Sequence, residues 1–232
     1  MRLLISLISL HLKNSFRNPQ KILYLVFFSF LIVVIFAFSF DLSAKLAYKI
    51  TPGIIWTVII LGSTNILAES FKEESENSIF YRFLLSPVSM TSLVITRMIS
   101  NLIIIIVWEF LIISLIFIFL NLNTDFDTFW FILTIFTGSV GYVMLTTFFS
   151  MIVSENKNVF MAIIIYPLIL PLLMGLIKMT SAIITNQINS EFFFWLKITV
   201  GFNVIYFAVI IILTEIVFES EWFLVYKYFF FT

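Results

Sequence analysis

The sequence predicts an all-α, polytopic membrane protein: a single transmembrane domain over residues 1–232 with six transmembrane helices. Three observations predict it. Hydrophobic residues make up 62% of the chain and charged ones 11%, with a mean hydropathy of +1.14, whereas a soluble domain is about half apolar and about a quarter charged. The charges cluster between apolar runs, each near the length that crosses a hydrocarbon core of about 30 Å as a helix. The runs lack the alternation of a lipid-facing barrel strand, and a bilayer tolerates no open backbone, so helices are the remaining spanning form.

Residues 1–20 come first, as an N-terminal interfacial amphipathic helix. Arg2, Ser6, Ser9, Lys13 and Arg17 recur every three or four residues, opposite Leu3, Leu4, Leu7 and Ile8. A polar stripe against an apolar one is the pattern of a helix lying in a membrane surface. No small-residue cleavage pattern follows it, which disfavours a signal peptide. His11, the only histidine, falls on the apolar side and reads as a satisfied interfacial residue rather than a haem or metal ligand.

The six spans are read as 22–40, 52–68, 98–120, 129–153, 159–177 and 198–217. An even number puts both termini on one side. That side then carries Arg2, Lys13, Arg17, Lys21, Lys72, Arg82, Arg97, Lys157 and Lys227, nine of the 13 basic residues, and leaves Lys45, Lys49, Lys178 and Lys197 opposite. The excess makes the first side cytoplasmic. The second span opens on Thr51-Pro52-Gly53. Proline is accepted in a first helical turn, Gly53 leaves room for close packing, and Trp56 reads as an interfacial anchor one turn inside.

The longest cytoplasmic connection, 69–97, reads as a short amphipathic helix parallel to the membrane. Glu69, Glu73 and Glu76 share one helical face, Lys72 and Glu74 add charge, and Phe80, Phe83 and Leu84 begin an apolar face with Arg82 between. Pro87 stops it by removing a donor and biasing Ser86 away from helix. A solvated loop with helical ends is the competing reading. Opposite, Asn121 to Trp130 is a short acidic turn, and Lys178 to Trp195 is a longer connection suited to an interfacial or partly re-entrant hairpin. The tail after Val217 is aromatic enough to lie on the inner leaflet, and reads equally as a disordered segment.

Several chemistries find no support. The basic residues form no stripe, which argues against nucleic acid, and with no cysteine there is no disulfide or thiolate chemistry. No H-E-x-x-H, G-x-S-x-G or phosphate-loop motif is present, so the chain offers no ATPase of its own and any energy comes from a partner or a gradient. Glu109, inside the third span, is the acidic group placed deepest in an apolar run. It reads equally as a proton-relay or gating group, or as a structural carboxyl bonded to polar neighbours such as Asn101 or Ser114. Pro167 and Pro171, four apart, are expected to bend or break the fifth span, either as a pathway element or as the ordinary proline of a membrane helix.

"ITPGIIWTVIIL" at 50–61, "FKEESENSIFYRFLLSP" at 71–87 and "YPLILPLLM" at 166–174, in this order and spacing, resemble the cytochrome c maturation protein B (CcmB) family. The resemblance covers nearly the whole chain. It departs at Asn77-Ser78, where similar sequences show a glycine. It implies an ABC-2 type exporter-like permease in which 69–97 holds a cytoplasmic coupling helix docking on a separate, CcmA-like ATPase subunit. ATP and magnesium would then sit on that partner, with no cofactor bound directly here and haem as the possible cargo. It also implies a homodimer with CcmC-like and CcmD-like membrane partners and a CcmE-like haem chaperone whose release ATP hydrolysis drives, in a bacterial or mitochondrial inner membrane. A permease for another lipid-like substrate, or a proton-driven secondary transporter using Glu109, are the alternatives.

Overall fold

The fold is taken from a computed structural model, which describes residues 2–17, 19–39, 44–76, 89–122, 125–152 and 158–231. Among these residues the chain forms seven helices: α1 (Arg2–Arg17), α2 (Pro19–Ser39), α3 (Ala44–Glu76), α4 (Met90–Phe119), α5 (Thr128–Ile152), α6 (Asn158–Ile184) and α7 (Ser190–Phe231). Five of them, α3 to α7, contain stretches long and apolar enough to cross a membrane, and α2 adds the shorter apolar stretch Val26–Phe38. The chain is a polytopic membrane protein whose described residues fold into helices and the short connections between them.

Local chemistry sets the helix ends. Proline is suited to a helix's first position, where its missing donor costs nothing, and Pro19 opens α2. Ser89 caps α4, its Oγ accepting from the Ser92 amide at 3.4 Å. Asp127 and Asn189 cap α5 and α7 in the same way, each side-chain oxygen accepting from two amides of the first turn. Asn121 and Asn186, both at positive φ, turn the chain out of α4 and α6, as asparagine does at helix ends. The Asn186 amide then donates to the Asp125 carbonyl at 2.7 Å. The 121–130 and 178–195 connections therefore lie at one end of the bundle, as their shared assignment to the outer side requires.

Helix α5 is the axis of the bundle, packed against α3, α4, α6 and α7, while α1 packs along α4 and α2 against α3 and α4. The main core gathers Ile55, Trp56, Ile59, Ile112, Leu172 and Met179 from α3, α4 and α6. A second, around Ile105, Tyr142, Ile169 and Tyr206, joins α4 to α7.

Several expectations are corrected. The second span does not start at Pro52: α3 begins eight residues earlier, at Ala44, and Pro52 lies inside it. Membrane helices tolerate an interior proline, and on the same turn the Thr51 hydroxyl donates to the Ala47 carbonyl at 2.7 Å. Pro167 and Pro171 likewise do not break α6, which runs through both. There the Tyr206 hydroxyl of α7 donates to the Leu168 carbonyl at 2.6 Å, on the turn before Pro171. The hairpin expected over 178–195 is replaced by the end of α6, a short connection and the start of α7, because Asn186 and Asn189 end one helix and cap the next. The tail after Val217 continues α7 to Phe231, and residues 90–97 belong to α4.

Candidate functional site

A hydroxyl and carboxyl seam runs through the centre of the bundle along α5. Its residues are small or polar in an otherwise apolar helix: Thr134, Thr137, Gly138, Ser139, Gly141, Tyr142, Thr146 and Thr147. Small residues let helix backbones approach closely, and hydroxyls bond across the gap, which is how helices associate where lipid removes the hydrophobic drive.

Each turn of α5 meets a different helix. Gly138 faces α3 and α6: a Cβ there would run into the Trp56 ring and Leu176. Gly141 faces α6 and α7, against Leu172 and the Asn203 side chain, and Asn203 Nδ2 donates to the Thr137 carbonyl at 2.8 Å. The Tyr142 hydroxyl donates to the Ile60 carbonyl of α3 at 3.2 Å. Toward α4, Thr147 Oγ1 accepts from Asn101 Nδ2 at 2.9 Å, and the Asn101 oxygen lies 3.2 Å from His11 Nε2 of α1. One buried amide thus connects α1, α4 and α5. The His11 side chain thus has a polar partner in Asn101.

Glu109 is 1% exposed and faces Ser139, whose Oγ lies 2.6 and 2.8 Å from the two carboxyl oxygens and 2.7 Å from the Ile135 carbonyl. A serine hydroxyl owns one hydrogen, so it serves one of these acceptors at a time. The expected neighbours are corrected: Asn101 is engaged by His11 and Thr147, and Ser114 donates to the Phe110 carbonyl at 2.8 Å. Both sit on Glu109's own helix, at spacings that aim them elsewhere. Beside this pair, the buried Trp108 indole and Ser29 hydroxyl flank Gly62, without a hydrogen-bond partner among the described residues.

Trp56 is not an interfacial anchor. It is 1% exposed, and its Nε1 donates to Thr180 Oγ1 of α6 at 3.0 Å. An indole enclosed this completely by neighbouring helices needs such a partner. Gly53 has no atom within 4 Å of its missing Cβ, so the close packing expected there is absent among the described residues. Pro52 is buried with Trp56, whereas Pro167 is exposed and Pro171 half-buried. The structure therefore brings Pro52, Trp56 and Glu109 into the bundle around α5 and leaves the α6 prolines toward its outside.

Glu69, Lys72, Glu73, Glu74 and Glu76 lie on the last turns of α3, continuous with the span rather than on a separate helix. Phe80, Arg82, Phe83 and Pro87 fall outside the described residues. The α5 seam, Ser139 and Tyr142 above all, was not among the sequence candidates. Its signal was present in the run "TGSVGY", where two glycines and two hydroxyls interrupt an apolar span.

The CcmB protein family model matches residues 2–215. Heme exporter protein B of Escherichia coli (strain K12) and that of Shigella flexneri are each 24% identical over 92 residues, 40% of this chain. The matched stretch spans 42% of those relatives' length. With a family match running from the first helix to the seventh, this chain belongs to the CcmB family.

Proposed function

We propose that this chain is the membrane subunit of a haem exporter complex powered by a separate ATPase subunit. The observation that carries the proposal is the family match over 2–215, joined by relatives that bear the name Heme exporter protein B. In this reading the chain makes six spans, α2 completing the set, with both termini on the cytoplasmic side of a bacterial inner membrane or of an organelle membrane derived from one. Two copies pair with two CcmA-like ATPase subunits and with CcmC-like and CcmD-like membrane proteins. Haem, or its release on a CcmE-like chaperone, is the cargo step.

Coupling falls to residues 69–97. Because Glu69 to Glu76 prolong α3, an ATPase docked there would push on the helix that carries Trp56. At about 1.5 Å per residue, force applied at Glu76 travels roughly 30 Å along one rod to Trp56. The test is ATPase activity of the co-expressed partner in membranes holding wild-type protein or Glu73→Lys with Glu74→Lys, at equal insertion. Selective loss of complex or of coupled activity is expected. Unchanged assembly and activity would reduce those charges to a solvated face.

A second reading rests on Glu109. A carboxyl enclosed at mid-helix is expensive in a membrane and often marks a proton path. If it drives transport here, uptake or efflux follows a pH gradient without ATP and fails in Glu109→Gln. An ABC-2 type permease for another lipid-like substrate shares the first reading's coupling, and differs in cargo alone.

A further inference from the structure

We propose that His11 clamps α1 at a fixed height on α4 and thereby positions the coupling segment that enters α4. The inference deepens the transport reading and rests on it for the coupling half only.

Nothing in the sequence of α1 fixes its place. An amphipathic helix slides along a membrane surface at little cost, since apolar contacts have no direction. In the structure Leu7, Ile8, His11 and Leu12 are half-buried while Ser6, Ser9 and Lys13 are exposed, and α1 packs along α4. The imidazole adds the missing direction. His11 Nε2 donates to Asn101 Oδ1 at 3.2 Å, and Asn101 Nδ2 donates to Thr147 Oγ1 at 2.9 Å. Asn101 is 2% exposed and Thr147 is fully buried.

That geometry fixes register. The amide is already committed on its nitrogen side to α5, so its oxygen stays in one place and asks for one donor. Sliding α1 by a single turn, about 5.4 Å, would withdraw the imidazole and leave a buried amide oxygen unpaired. Between Met90 and Asn101, α4 makes its first three turns, directly after the segment 77–88 that joins it to α3. The clamp thus lies on the stretch through which any movement of the coupling segment enters α4. His11 is a positioning residue in this scheme and touches no cargo.

The chain has no cysteine, so a single Ile8→Cys reports on α1 without background. Its maleimide labelling is compared in reconstituted vesicles with His11, His11→Gln, whose amide keeps a donor, and His11→Leu, which has none. Stimulation of the co-reconstituted ATPase partner is measured in the same three backgrounds. Labelling is expected to be slow with His and Gln and about fivefold faster with Leu, the scale of one lost buried hydrogen bond. The maximal ATPase rate should fall by a similar factor in His11→Leu, with KM for ATP unchanged, and recover in His11→Gln. Equal labelling in all three overturns the clamp. Faster labelling with undiminished ATPase rate overturns the positioning role. Wild-type protein that never stimulates the ATPase sinks the transport reading and the coupling half with it, whereas labelling still decides the clamp.

Discussion

Helices α5 and α7 are both apolar enough to cross a membrane, yet the bundle treats them oppositely: 67% of the α5 stretch 128–150 is buried against 22% of the α7 stretch 190–216. The less apolar of the two is the one in the centre. In water that ordering would be reversed. In lipid an isoleucine gains nothing by leaving the acyl chains, so position is decided by close packing and hydrogen bonds. Helix α5 offers Gly138, Ser139, Gly141, Tyr142 and Thr147, and each is matched by a side chain or carbonyl of a neighbour. Helix α7 turns Val204, Ile205, Ile212 and Ile216 outward and holds on through a few inward groups, Asn203 and Tyr206 among them.

The largest expected effect that tests this contrast is a pair of glycine substitutions. Gly138→Leu drives a side chain into the Trp56 ring and Leu176, whereas Gly201 has nothing within 4 Å of its missing Cβ. Overpacking typically costs about 1–3 kcal/mol, and an open surface site stays within about 0.5 kcal/mol. Thermal unfolding in detergent should therefore show a clear loss for Gly138→Leu and almost none for Gly201→Leu. If Gly201→Leu instead destroys an assembled complex while sparing the isolated chain, the outer face of α7 is itself a packed face in that complex, and the contrast holds only for the monomer.

Removing one hydroxyl sharpens the comparison at a smaller scale. Ser139→Ala strips the Glu109 carboxyl of the partner it has at 2.6 and 2.8 Å, which should lower stability by about 1–3 kcal/mol, the cost of an unpaired buried polar group. Glu109→Leu combined with Ser139→Ala removes both members, and recovery of part of that loss is the expected outcome of the double variant. Additive losses would mean that the two groups do not interact across α4 and α5.

The smallest effect belongs to the rim. Lys178 and Glu191 join α6 to α7 at 3.6 Å with both side chains more than half exposed. Exposed pairs of this kind contribute about 0–1 kcal/mol. A double-mutant cycle with Lys178→Ala and Glu191→Ala should give a coupling energy near the bottom of that range, weaker still at high salt. A larger, salt-resistant coupling would place the pair in a dry contact.

Much of the architecture was legible from single residues. Apolar runs fall on the five helices long enough to span, the acidic Asn121 to Trp130 turn and the Lys178 to Trp195 connection are joined by Asn186, and in α1 Ser6, Ser9 and Lys13 face out as the amphipathic pattern expects, although Ile5 and Leu10 do too. Legibility failed where one residue has two physical meanings. Pro52 signals a helix start in water, but in a membrane the same ring sits mid-helix when neighbours serve the backbone. Trp56 signals an interface until a hydroxyl such as Thr180 meets its N–H in the core.

What the sequence alone determined is how much of the chain must be helical, roughly where each helix turns back, and which residues carry the CcmB family's pattern, because hydropathy and helix caps are local properties. Only the tertiary structure decided that α5 is the axis, that Glu109 answers to Ser139, and that His11, Asn101 and Thr147 form one line through three helices. Those partners lie 30, 90 and 46 positions apart in the chain. A bond between distant residues depends on how each helix is rotated about its axis. In a bilayer that rotation is set by mutual packing of small and polar groups, since both lipid and neighbouring helices accept an apolar face equally well.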